Sequence, residues 1–109
     1  MFVFTNMPNL TTLSINGCSS LTEDIDLTNN TEITSVDARG TTINVLIPEG
    51  SKITSYKLGT PTSVSIVNPT VLSSSNVSVT NSANITSIEL TKTNGTGMFN
   101  MFGKITNTI

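Results

Sequence analysis

Four carboxylates form the one local concentration of charge in this chain. They are Glu23, Asp24, Asp26 and Asp37. Carboxylate oxygens of this kind are good ligands for Ca²⁺. The segment 24–28, however, lacks the remaining ligands and the glycine of a calcium loop. A solvated turn is therefore the favoured interpretation, and the sequence predicts neither a metal site nor any other cofactor.

Other side chains with catalytic chemistry are scarce. The chain has no His and no Trp, which removes the commonest general base, the commonest zinc ligand and a frequent sugar-stacking side chain. Paired carboxylates need a cleft that perturbs their pKa values, and nothing in the sequence predicts one. The single tyrosine, Tyr56, is expected to face the core, and the single cysteine, Cys18, to be a small buried hydrophobe. We therefore expect no enzymatic activity.

Ser, Thr and Asn supply 47 of the 109 residues, whereas charged residues make up only 11%. The net charge of −2 and the many Thr, Ile and Val residues favour a folded, β-rich chain. This length predicts one domain spanning 1–109. Basic residues are too few and scattered for nucleic-acid binding. No apolar run approaches the roughly 20 residues that span a bilayer, and the apolar start, 1–4, is too short for a signal peptide.

The most informative pattern is an apolar-x-apolar triplet that recurs every eight to thirteen residues. Its eight copies are Leu13-Ser14-Ile15, Ile25-Asp26-Leu27, Val36-Asp37-Ala38, Val45-Leu46-Ile47, Tyr56-Lys57-Leu58, Val64-Ser65-Ile66, Val77-Ser78-Val79 and Ile88-Glu89-Leu90. Because side chains alternate along a strand, the flanking residues are predicted to face the core and the middle residue to face outward. Near-constant spacing indicates one unit stacked on copies of itself, which predicts a solenoid.

Alternate triplets are predicted to lie on two faces of a flattened coil of about 20 to 24 residues. One face would stack the strands that start at Leu13, Val36 and Tyr56. The other would stack those that start at Ile25, Val45 and Val64. Copies on the first face have an apolar residue three positions before the triplet, as Ile33 precedes Val36, whereas copies on the other face have Thr or Pro there. After Pro69 this order is reversed, because Ser74 precedes Val77 and Ile85 precedes Ile88. The register there is left open. The predicted fold is an all-β solenoid of short parallel strands, about two per coil, with repeats over about 9–93 and no substantial helix.

The fullest copy, Leu10-x-x-Leu13-x-Ile15-x-x-Cys18, resembles the leucine-rich repeat frame L-x-x-L-x-L-x-x-N/C. Cys18 and Asn30 fill the last position of that frame. Residues 9–90 resemble degenerate leucine-rich repeat segments in large virion proteins of gut bacteriophages, through stretches such as Val36-Asp37-Ala38-Arg39-Gly40-Thr41. They are also similar to leucine-rich repeat proteins on the surface of gut bacteria. Either resemblance implies stacked parallel strands, and neither supplies catalytic residues.

The middle residues of the triplets define outward-facing rows. Ser14, Asp37 and Lys57 would share one row, because their strands stack on the same face. Stacked strands lie about 4.8 Å apart, which would place Asp37 beside Lys57. Such an exposed ion pair would contribute well under about 1 kcal/mol. This row is the predicted binding face of a protein that recognises a partner through its sheet.

Both ends of the sequence are apolar where a self-sufficient solenoid would carry polar caps. Phe2 and Phe4, together with Met7, mark the first end. Met98, Phe99, Met101 and Phe102 mark the second end. Two interpretations stay open for the segments 1–8 and 94–109. They fold over the coil ends as caps, or they form assembly surfaces, as clustered apolar residues near an edge often do.

The favoured hypothesis is a non-enzymatic structural or assembly protein. It would be a solenoid of a phage virion or tail that docks through its ends onto other virion subunits or onto copies of itself. The alternative is a protein-binding module, namely a bacterial surface or secreted leucine-rich repeat domain that binds its partner through Ser14, Asp37 and Lys57. The partner is a protein under both hypotheses, not a nucleic acid or a membrane.

Overall fold

In the part of the chain that the structure describes, nine short parallel strands form a β-solenoid of roughly four turns. The computed structural model describes residues 1–70 and 77–91, and these ranges contain no helix. The strands are β1 (Phe2–Val3), β2 (Thr12–Ser14), β3 (Ile25–Asp26), β4 (Ser35–Ala38), β5 (Val45–Leu46), β6 (Ser55–Leu58), β7 (Ser63–Val67), β8 (Val77–Val79) and β9 (Ser87–Thr91). The predicted all-β solenoid of short parallel strands is therefore confirmed.

Successive strands alternate between two faces of the solenoid. The even face is one four-stranded sheet in the order β2-β4-β6-β8. The odd face contains a three-stranded sheet, β1-β3-β5, followed by a two-stranded sheet, β7-β9. Paired residues on neighbouring coils lie 20 to 24 positions apart, as for Thr34 with Thr11 and Thr54 with Thr34. Each coil thus contributes two strands, as the triplet spacing predicts.

The register agrees with the prediction over most of the chain. Leu13, Val36 and Tyr56 are successive partners on the even face, and Ile25 pairs with Val45 on the odd face. Beyond Pro69 the alternation simply continues. Val77 pairs with Tyr56, and Ile88 pairs with Val64. Strands alternate between the two faces in chain order, so each triplet's face depends on how many strands precede it. The residue three positions before the triplet, whose type is reversed at Val77 and Ile88, does not change the face.

The sequence pattern contains one strand that the prediction missed. Phe2-Val3-Phe4 is a ninth apolar-x-apolar triplet, and β1 pairs with β3 through Phe2 beside Ile25 and Val3 beside Asp26. Its distance from Leu13 fits the spacing of the other copies, which is the signal that could have identified it. The segment 1–8 therefore supplies the first strand of the first coil.

The core lies between the two faces and is filled by the flanking residues of the triplets. Val36 and Ala38 are fully buried, whereas Asp37 between them is half-buried. The same alternation holds in β6, where Tyr56 and Leu58 are buried. Complete burial of an Ile, Leu or Val side chain contributes about 1.5–3 kcal/mol. Repeated burial at these positions therefore provides the main driving force for stacking the coils.

Cys18 does not occupy the buried position that the sequence predicts. Its side chain is exposed, whereas the residue in the same place one coil later, Thr41, is 2% exposed. Thr41 donates its hydroxyl to the Ala38 carbonyl at 2.7 Å. Cys18 belongs to the first coil, whose outer side has no coil stacked on it. The frame position is the same, but burial there depends on a neighbour on both sides.

Rows of threonine hydroxyls link each coil to the one before it. On the even face, Thr34 donates both its backbone N–H and its hydroxyl to the Thr11 carbonyl, at 2.8 and 3.1 Å. Thr54 repeats the pair of bonds to the Thr34 carbonyl, and Thr86 does the same to Thr62 on the odd face. Threonine at these positions therefore supplies a side-chain hydrogen bond between coils in addition to the backbone bond.

Candidate assembly and binding surfaces

The exposed large apolar side chains of the described residues all belong to the first coil. They are Met1, Phe2, Val3 and Met7, which are 43% to 58% exposed. The coil is also less covered at its core-facing positions. Phe2 is 43% exposed, whereas its partner Ile25 is 2% exposed. Leu13 is half-buried, whereas its partner Val36 is fully buried. The outer side of the first coil, which we call the coil-1 end, is thus an apolar surface.

Backbone and side-chain hydrogen bonds fix the chain at the coil-1 end. The N–H of Phe2 donates to the Asp24 carbonyl at 2.9 Å. Asn30 is 1% exposed, and its amide Nδ2 donates to the Phe4 and Met7 carbonyls at 3.0 and 3.1 Å. Asn30 occupies the Asn position of the repeat frame and holds the preceding coil at its turn. These hydrogen bonds therefore hold in place the backbone that carries the exposed apolar side chains of the first coil.

The strands at the coil-1 end have open edges. β1 and β2 are terminal strands of their sheets, so each is hydrogen-bonded along one side. Natural edge strands commonly carry charges or proline that prevent pairing with another chain. Residues 1–22 contain no Asp, Glu, Lys or Arg, and the single proline among them, Pro8, lies outside both strands. These edges are not protected in that way.

A shallow depression of about 470 Å³ lies in the segment that leads into β2. It is lined by Asn6, Met7, Pro8, Asn9, Leu10, Thr11 and Thr12. Met7, Pro8 and Leu10 are its apolar lining residues, and the other four are polar and uncharged. The depression belongs to the first coil, and its lining carries no charged group.

The predicted interaction residues fall into separate regions. Phe2 and Phe4 lie at the coil-1 end, where Phe4 is half-buried and packs against the core. Met98, Phe99, Met101 and Phe102 lie outside the described residues. Ser14, Asp37 and Lys57 are successive partners in one outward row of the even face, and Ser78 continues the row. The structure therefore groups the sheet residues as predicted and separates them from Phe2 and Phe4.

Within this row, Asp37 forms its ion pair with Arg39 and not with Lys57. The Arg39 guanidinium donates to the two carboxylate oxygens at 2.9 and 2.7 Å, and the Arg39 N–H adds a bond of 3.2 Å. These hydrogen bonds lower the pKa of the Asp37 carboxyl, and the nearby Lys57 charge lowers it further. The prediction of neighbouring positions was right, but the predicted ion pair was wrong, because Arg39 reaches the carboxylate along the same chain.

The other predicted carboxylates act separately. Asp26 accepts the N–H and hydroxyl of Thr28 at 2.9 and 2.6 Å, and these bonds lower its pKa. Asp24 accepts the N–H of Asn44 at 2.9 Å. Glu23 accepts the amino group of Met1 at 2.6 Å. Within the described ranges, no three His, Cys, Asp or Glu residues are grouped so that they could hold a metal ion.

The odd face has a seam between β5 and β7 that sequence reasoning missed. No strand pairing joins the two strands, and the Asn44 side chain bridges them instead. Its Oδ1 accepts the N–H groups of Thr62 and Ser63 at 2.9 and 3.1 Å, and its Nδ2 donates to the Thr62 hydroxyl at 2.9 Å. The signal available in the sequence was a polar residue before the triplet at Val45, as Asp24 stands before Ile25.

Comparisons with known proteins found no matching family model, no matching curated protein and no matching solved structure. The described part of the chain contains no helix that is long and apolar enough to cross a membrane.

Proposed function

We propose that this chain is a non-enzymatic structural or assembly protein, a rigid solenoid that docks onto neighbouring subunits through its ends. The observation that carries the proposal is the exposure of Phe2, 43%, against 2% for its partner Ile25 one coil later. An apolar surface beside open strand edges is what a neighbouring subunit can cover. The apolar end of the first coil thus supports contact through the end in preference to the faces.

A spacer must keep its shape under load, and the bonds between coils support that role. The even face is one continuous sheet of four strands. Threonine hydroxyls add a second bond to the backbone bond at Thr11 and again at Thr34. The Asn44 side-chain Nδ2 donates to Asp24 on one neighbouring coil and to Thr62 on the other, at 3.3 and 2.9 Å. These links favour a rod whose length depends on the number of coils.

The proposed location is a phage virion or tail. Its support is the resemblance of residues 9–90 to degenerate leucine-rich repeat segments of phage virion proteins. A protein with this role would use its ends for assembly with other virion subunits or with itself.

The experiment that tests the proposed function is molar mass by light scattering over a wide concentration range. We expect a mass above that of one chain, which falls towards one chain in Phe2→Ser. The matched control is Leu46→Ser, which removes an outward apolar side chain of β5, away from the coil-1 end. A mass of one chain at every concentration would contradict docking through the ends by self-association.

A second candidate function is a bacterial surface or secreted protein-binding module that uses the even face. The observation that favours it is Lys57, a half-buried cation with no ion pair among the described residues, in a row with Ser14 and Asp37. Such a group can meet an anionic side chain of a partner. The test compares the binding of a protein partner by the unaltered chain with its binding by the Ser14→Ala, Asp37→Ala and Lys57→Ala variants. We expect the variants to lose binding while their circular dichroism stays unchanged, and unchanged binding would contradict this second function. The control is Glu32→Ala, which breaks the exposed Glu32–Lys52 pair elsewhere.

A further inference from the structure

We infer that two copies of this protein pair through their coil-1 ends, first coil against first coil, as a closed twofold dimer. The inference rests on the proposed function and names its partner, which is a second copy of the chain.

The backbone at the coil-1 end is suited to a twofold contact. β1 and β2 are both edge strands, and they belong to the same coil. A twofold axis perpendicular to the solenoid brings the same end of a second copy against them, with its strands running antiparallel. Antiparallel edges pair their N–H and C=O groups at least as well as parallel ones. One contact therefore satisfies the open edges of two sheets in each copy.

The side chains continue the stacking that already holds the coils together. Inside the solenoid, Ile25 and Val36 are buried because a coil lies on each side of them. Phe2 and Leu13 occupy the same positions in the first coil and have a coil on one side only. A second copy facing this surface supplies the missing cover with side chains of the same apolar kind.

The distribution of charge favours a second copy as the occupant. All five basic and all seven acidic residues of the chain lie after position 22. In a twofold contact, a charged group near the axis faces its own copy and meets a like charge. The first coil contains no charged side chain, and the Met1 amino group is paired with Glu23 at 2.6 Å. The surface can thus meet itself without repulsion between charged side chains.

The outward side of the odd face is a poorer surface for pairing. Val3 and Leu46 are apolar residues of one outward row, but Asp26 lies between them in register. Covering that row would bury the Asp26 carboxylate, which costs free energy unless a cation accompanies it. The coil-1 end has no such obstacle.

Sedimentation equilibrium of the full chain tests the inference. We expect a mass that rises with concentration and stops at two chains. Val3→Lys places a charge on β1, and we expect it to raise the dissociation constant by about tenfold or more, because two like charges would be brought together. Leu46→Lys is the matched control, since it changes the same outward row two coils away, and we expect less than about a twofold change. Met7→Lys, at the edge of the coil-1 end, provides a second disrupting variant, and circular dichroism checks that each variant folds.

Each other outcome overturns a different statement. A mass that grows beyond two chains indicates head-to-tail growth through both ends, which overturns the dimer and leaves docking through the ends in place. A single-chain mass at all concentrations overturns both. Loss of association in Leu46→Lys but not in Val3→Lys would assign the contact to the odd face and overturn pairing through the coil-1 ends.

Discussion

The hydroxyl of Tyr56 donates a 2.6 Å hydrogen bond to the backbone carbonyl of Val45, across the core from the even face to the odd face. The carbonyls on either side of Val45, at Asn44 and Leu46, accept the N–H groups of Ile25 in β3 and of Leu27 directly after it. Carbonyls alternate in direction along a strand, so that of Val45 points to the side of β7. Tyr56 thus binds a carbonyl that a continuous sheet would offer to the next strand, at the seam of the odd face.

Tyr56→Phe is expected to lower the free energy of unfolding by about 1–3 kcal/mol, because it leaves the Val45 carbonyl without its partner inside the core. Urea denaturation followed by circular dichroism measures the change. The matched control is Ser65→Ala, which removes a hydroxyl that donates to Glu89 on the exposed surface at 2.9 Å. That control should change stability by less than about 0.5 kcal/mol. Equal effects of the two changes would contradict the importance of the bond across the core.

Tyr56 should also make the fold sensitive to alkaline pH. Complete burial raises the pKa of its phenol above the ordinary value of 10.0. A raised pKa in the folded state means that the stabilisation is fully present below pH 10 and is lost as the pH rises above that value. The absorbance of tyrosinate should therefore appear together with unfolding, and Tyr56→Phe should remove this part of the pH dependence. Ionisation near pH 10 in a chain that stays folded would contradict the buried position.

Asn44→Ala should open the seam between β5 and β7. The Thr62 and Ser63 N–H groups lose their acceptor, so we expect faster hydrogen exchange at both amides and a loss of about 1–3 kcal/mol of stability. Exchange at Thr86, whose N–H donates to the Thr62 carbonyl at 2.8 Å, reports whether the change spreads to the next coil. Asn84→Ala, at an exposed position, is the control. Unchanged exchange at Ser63 would count against the bridge.

Gly59→Ala should destabilise the contact between two coils. A Cβ at this position would overlap the Thr41 carbonyl oxygen and lie 3.0 Å from the Thr41 nitrogen, so backbone must move. We expect a loss of about 3 kcal/mol in free energy of unfolding. Gly17→Ala serves as a comparison because its Cβ would meet no atom within 4 Å and its cost, about 1 kcal/mol, arises from its positive φ of 83°. A larger effect at Gly17 would contradict the close approach at Gly59.

The Asp37 carboxyl should titrate below its ordinary pKa of 3.8, chiefly because Arg39 donates hydrogen bonds to it. With a depressed folded-state pKa, its contribution to stability is present above pH 3.8 and is lost as the pH falls through the folded pKa. A carboxyl titration by NMR should show the pKa rising in Arg39→Gln and rising less in Lys57→Gln. The reverse order would restore the ion pair with Lys57 that the sequence suggested.

Repetition explains why so much of this fold follows from sequence. Each triplet carries the same alternation, so Val36 and Asp37 face opposite sides for a local reason that every other copy repeats. The coil length follows from the distance between alternate copies, and the partners Leu13, Val36 and Tyr56 follow from the coil length. The Asn frame position likewise identified Asn30, whose amide does hold the preceding turn.

The candidate surfaces were harder to predict from the sequence, because they depend on which coil has a neighbouring coil on one side only. Phe2-Val3-Phe4 looked like a terminal segment, yet it is a strand with an open edge. Cys18 has the residue type of a buried position but lacks the second neighbouring coil that would cover it. A repeat pattern describes an average coil and does not distinguish the first coil from those that follow.

By itself, the sequence determined the class of fold, the two strands per coil, the alternation of inward and outward side chains, and the partners Leu13, Val36 and Tyr56 on the even face. These are consequences of local alternation and of near-constant spacing. The tertiary structure alone decided that Tyr56 donates a hydrogen bond to Val45, that Asn44 bridges an interrupted sheet, and that Asp37 pairs with Arg39 and not with Lys57. Each of those outcomes depends on distances of a few ångströms between groups on different strands or around a turn, which residue types and spacing do not specify.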